Sequence, residues 1–66
     1  MPTLKARDIR KMSREERERR LKELRAELMR IRTEIRTKGR VENPSALREI
    51  RRQIARILTV QREEAA

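Results

Sequence analysis

The residues best suited to chemistry in this chain are arginines, and five of them, Arg48, Arg51, Arg52, Arg56 and Arg62, fall within one stretch near its end. At about 100° per residue they fill a wide arc of a helix, broken only by the small residues Ala55 and Thr59, with Glu49 toward the opposite edge. A guanidinium is a planar fork of donors that grips phosphate oxygens in pairs. Small side chains between such forks let a sugar-phosphate strand approach the backbone. A single arginine of this kind is best read as a wet surface residue, but five on one arc favour a polyanionic ligand.

Composition points the same way. Twenty Lys+Arg against eleven Asp+Glu leave a formal charge of +9, and sixteen of the twenty cations are Arg, where a merely solubilising surface would use Lys as easily. The chain has no Cys, His or aromatic residue. Zinc fingers, thiol catalysis, imidazole bases and disulfide staples are thereby excluded, as are the stacking platforms on which many RNA-binding folds rest. No metal site, cofactor or enzymatic activity is expected, because the carboxylates lie on helix surfaces with no pocket-forming partners and a chain of 66 residues offers little concave volume. No apolar run approaches a transmembrane length or a signal-peptide core, so no membrane association and a soluble, intracellular setting are expected.

The elements that must position these arginines are helices. Gly39 and Pro44 punctuate the chain, and the segments on either side carry helical periodicity. Ser13 with Glu16 matches a capping box, and Leu21, Leu24, Leu28, Ile31 and Ile35 then recur at steps of three and four up to Gly39, which suits a left-handed helix end. This predicts a helix over about 14–38, roughly 37 Å long at 1.5 Å per residue. Asn43-Pro44 supplies the next start, with Leu47, Ile50, Ile54 and Ile57 as its seam, predicting a second helix over about 44–62 after a turn at 39–43. Two seamed helices joined this closely pack antiparallel. Thr3 is placed to cap a short helix over about 4–11 whose Leu4, Ile9 and Met12 rest across one end of the hairpin. The expected fold is therefore all-α, a single domain over 1–66 built as an antiparallel, coiled-coil-like two-helix hairpin with a short N-terminal helix. So small a domain is marginal alone, which again implies a partner.

The charges of the first long helix are sorted. Arg14, Arg25, Arg32 and Arg36 fall on one flank of the seam and Glu16, Glu23, Glu27 and Glu34 on the other, which suggests two different neighbours. Arg17 lies inside the seam near its N-terminal end, so that end is expected to be splayed, open to water, or covered by something acidic. The candidate RNA-contacting set is Lys5, Arg10, Arg25, Arg32, Arg36, Arg40, Asn43, Arg48, Arg51, Arg52, Arg56 and Thr59. Without aromatics to stack on splayed bases, these would follow phosphate backbone or a shallow minor groove of folded RNA, with little reading of sequence.

Residues 42–60, ENPSALREIRRQIARILTV, closely resemble the signature of the large-subunit ribosomal protein family conventionally numbered twenty-nine. The segment LKARDIRKMSREE resembles that family's short first helix leading into a Ser-capped long one, so the likeness spans nearly the whole chain. It departs from the family at Arg17, where relatives often carry Leu, and at Gln53, where they often carry Asp. The resemblance implies a structural constituent of the large ribosomal subunit in the cytoplasm, one copy per ribosome. It also implies a seat on ribosomal RNA near the exit of the nascent-peptide tunnel, beside a neighbouring exit-rim protein and near docking sites for signal recognition particle or nascent-chain factors. The chief alternative is a basic coiled-coil nucleic-acid-binding protein outside the ribosome, which would require one continuous helix through 39–44.

Overall fold

The computed structural model describes residues 5–65, and within them every regular element is helical. Three helices follow in order: α1 (Ala6–Lys11), α2 (Arg14–Lys38) and α3 (Pro44–Ala65). The capping chemistry accounts for most of the boundaries. Ser13 Oγ accepts from the Glu16 amide at 3.2 Å, and Asn43 Oδ1 accepts from the Ala46 amide at 3.2 Å, each satisfying one of the orphan donors of a helix start. Gly39 closes α2 at φ 76, with its amide donating to Ile35 O at 2.7 Å. A Cβ there would meet nothing within 4 Å, so the position demands glycine for its backbone conformation and not for space.

Helices α2 and α3 pack antiparallel: Arg17 meets Gln61 and Glu64, Arg20 meets Gln53, and Glu27 lines a groove with Asn43 and Ala46, so numbers rise along one helix as they fall along the other. The result is a rod of 40 × 18 × 17 Å. Because the chain reverses after Gly39, the continuous helix required by a basic zipper is absent from the described residues.

The ends differ from the sequence expectation in two places. Lys5 occupies the N-cap of α1 with no side-chain capping bond, so the helix starts at Ala6; Thr3 and Leu4 lie outside the described residues. Helix α3 continues to Ala65, three residues past the expected Arg62, because Glu63 and Glu64 reach back to Arg10 and Arg17.

The core is lopsided. Ile9, Leu24, Ile57 and Val60 form one buried cluster, with Met12, Leu21, Ile50 and Ile54 packed against it, all toward the end where α1 crosses α3. The α3 seam is rotated from the expected one. Gln53, Ile57 and Val60 are its buried residues, whereas Leu47, Ile50 and Ile54 are half-buried along its edge. Toward the turn Ile31 is buried, but Ile35 is 36% exposed and Met29 69%.

Candidate nucleic-acid interface

With Gln53, Ile57 and Val60 turned inward, the helical period turns Arg48, Arg51 and Arg52 outward, and the three line one shallow depression on α3. Beside it runs a groove between α1 and α3, lined by Ala6, Arg10, Arg52, Ala55, Arg56 and Thr59, with Val60 in its floor and Glu63 on its rim. Arg52 belongs to both. Ala55 and Thr59 are the small residues of the arc, and they leave the groove open between the arginines that bound it.

The cations differ in what already holds them. Arg52 pairs with Glu49 at 3.1 Å and Arg48 Nη2 donates to Ser45 Oγ at 3.4 Å, both i to i±3 contacts that lean the side chains along the helix. Arg56 is half-buried and engaged within the fold. Arg51 is exposed and has no ion pair among the described residues. Arg10 faces Glu63 across the groove rim at 3.4 Å with both side chains about half exposed, a contact that water and salt weaken readily.

Of the other candidate residues, Arg25, Arg32 and Arg36 are exposed along α2, separate from the α3 depression and groove. Arg40 is exposed in the turn and Lys5 at the start of α1. Asn43 commits its side-chain oxygen to the α3 cap, and the Thr59 hydroxyl donates to Ala55 O at 2.7 Å, so each has only part of its polar capacity left for a ligand. The arginine surface thus divides into a compact set (Arg10, Arg48, Arg51, Arg52, Arg56, Thr59) and outlying cations.

The opposite edge of the hairpin is acidic. Glu23, Glu27 and Glu49 line one groove between α2 and α3 with Arg20 and Gln53, and Glu27, Glu34 and Glu42 line the next toward the turn with Arg30. Gln53 is buried against α2, its Oε1 3.5 Å from Arg20 Nη2, so it faces the hairpin partner rather than a ligand.

At the α1 end Arg17 is buried to 2% exposure. Its Nε donates to Ile9 O at 2.8 Å and its Nη2 to Arg10 O at 3.0 Å; Nη1 donates to Gln61 Oε1 at 3.2 Å and to Glu64 Oε1, and Nη2 to Glu64 Oε2 at 2.6 Å. Of the three arrangements open from the sequence, this end is covered by an acid, and the acid is the chain's own. The hydrogen bonds from Arg17 hold the Glu64 carboxyl below the usual carboxylate range against the opposing effect of desolvation, and Glu64 in turn raises the guanidinium. Glu64 was missing from the sequence reading, yet a signal existed: Ile57, Val60 and Glu64 continue the three-four stepping, placing an acid in the α3 seam at the level of the cation in the α2 seam.

A three-helix rod with one acidic edge and a guanidinium-rich back is an all-helical hairpin protein. A family model described as Ribosomal L29 protein matches residues 7–63, and the chain belongs to that family, whose members are structural constituents of the large ribosomal subunit. A search of the curated proteins found no match. Among the described residues no group of His, Cys, Asp or Glu is arranged to hold a metal ion, and no helix is long and apolar enough to cross a membrane.

Proposed function

We propose that this chain binds large-subunit ribosomal RNA through the back of α3 and the groove beside α1, and that it sits at the rim of the nascent-peptide tunnel exit in the cytoplasmic ribosome. The observation that carries the RNA reading is the convergence of Arg48, Arg51 and Arg52 on one depression, with Arg52 shared by an adjoining groove that also holds Arg10, Arg56 and Thr59. A run of guanidinium groups over a rigid helix, with gaps at Ala55 and Thr59 and no aromatic residue to stack on bases, suits the sugar-phosphate backbone of folded RNA better than base edges. Arg25, Arg32, Arg36, Arg40 and Lys5 extend the footprint to a second strand or a neighbouring RNA helix, whereas Asn43 caps α3 and lines the acidic grooves. The acidic edge repels phosphate, so it is the side left for a protein, in this reading the neighbouring exit-rim protein, with signal recognition particle or nascent-chain factors close by.

The test is the salt dependence of RNA binding. Arg51→Ala combined with Arg52→Ala should weaken binding and reduce the magnitude of the slope of log affinity against log salt by roughly 1.5 to 2, as two phosphate contacts are lost. An unchanged slope removes the back of α3 from the interface.

A further inference from the structure

We propose that Arg17 is a positioning residue, a role whose functional meaning rests on the RNA-binding reading above: by clasping α1 to the last turn of α3, it assembles the groove in which Arg10 stands beside Arg52, Arg56 and Thr59. One side chain on α2 bonds to both other helices, to the carbonyls of Ile9 and Arg10 on α1 and to Gln61 and Glu64 on α3. Those two carbonyls belong to the final turn of α1, where Ile9 O also accepts from the Met12 amide at 3.1 Å and has a second lone pair for the guanidinium, and a buried cation there also suits the negative end of the peptide dipoles.

Helix α1 has six residues, too few to hold helical structure without docking. Ile9 anchors it by complete burial, but apolar burial has no direction and fixes where the helix lies more than how it is turned. The guanidinium supplies direction, since its rigid fork can donate to the Ile9 and Arg10 carbonyls together only at one angle. Arg10 follows Ile9 immediately, so a turn of α1 about its axis would carry the Arg10 side chain away from Arg52 and Arg56. Glu63 and Glu64 act as a pair on this arrangement, Glu64 holding Arg17 and Glu63 facing Arg10. The same pair keeps α3 helical to Ala65.

Hydrogen exchange on the full chain tests the clasp without RNA. Arg17→Leu puts an apolar side chain in the seam, so amides near Leu24 and Ile31 should retain their protection, while those of Ile9 and Met12 should exchange on the order of tenfold faster or more. Glu64→Gln, which leaves Arg17 in place with a weaker partner, should give the same change to a smaller extent. RNA titrations then test the consequence: Arg10→Ala should lower the salt slope by about 1 in the otherwise unchanged protein and by nothing further in the Arg17→Leu background. Unaltered α1 exchange in both variants overturns the proposal, as does an Arg10→Ala effect of equal size in both backgrounds. If the unchanged protein shows no salt-dependent RNA binding, the RNA reading falls, and the exchange result still decides whether Arg17 positions α1.

Discussion

The two ends of the hairpin are built on different principles. At the turn, order is local: Gly39 in the left-handed conformation, the Asn43 cap, and Lys38 paired with Glu42 at 2.7 Å, all within a few residues of one another. At the α1 end, order is tertiary: Ile9, Leu24, Ile57 and Val60 bury one another across three helices, and Arg17 is bonded to residues up to 47 positions away. The local end can form early and hold little, because its closure costs little chain entropy and its apolar residues remain partly wet. The tertiary end must wait for the whole chain, and then it carries most of the burial.

Truncating one buried and one exposed isoleucine should expose this asymmetry most strongly. Ile57 is fully buried, so Ile57→Ala should cost about 3 kcal/mol and lower Tm on the order of 15 °C. Ile35, 36% exposed near the turn, should lose under about 1 kcal/mol on the same change. Thermal melts of the two variants that fall together would mean the ends share one core after all.

A smaller effect should come from the turn itself. At φ 76 any L side chain is strained even with open space around the Cβ, so Gly39→Ala should cost about 1 to 2 kcal/mol and Gly39→Asn less, as Asn tolerates that region. Equal stability of the alanine variant in chemical denaturation would remove glycine's conformational role from the account of this end.

The same division explains what could be read in advance. Ser13, Gly39 and Asn43-Pro44 carry their meaning within four residues, and α2 begins and ends where they place it. The hairpin pairing followed from two seams and a short turn, and the outward run of Arg48, Arg51 and Arg52 from helical period alone. Less legible was the exact rotation of α3, whose buried face is centred on Gln53, Ile57 and Val60 because α1 packs against it as well as α2. A polar Gln53 in a buried row hides that rotation from any reading that counts apolar residues. The destination of Arg17 was hidden for a related reason. A cation in a seam states a need for an acid, but Glu64 lies on another helix, and only the fold brings it near. The groove holding Arg10 with Arg56 has the same origin, since it exists only between two docked helices.

The finest separation of the two ends comes from acid and salt together. Glu64 and Glu42 both have carboxyl groups held below their ordinary range, Glu64 by hydrogen bonding to Arg17 and Glu42 by hydrogen bonding to Lys38. A depressed folded pKa adds stability that is complete above the unfolded value, about 4.3 for Glu, and is lost as pH falls through the folded value below it. At low ionic strength acidification should therefore loosen both ends. Lys38 and Glu42 are more than half exposed, 53% and 59%, so about 1 M salt, where the Debye length is near 3 Å, should erase their contribution. Glu64 is itself 51% exposed, but its partner Arg17 is 3% exposed and is held by Ile9 O, Arg10 O and Gln61 as well, so salt should screen this pair less completely. In high salt, hydrogen exchange corrected for its intrinsic pH dependence should keep an acid-induced step at Met12 and lose it at Gly39, whose amide closes α2 on Ile35. A step of equal size at both amides would mean that the buried clasp is screened like a surface pair.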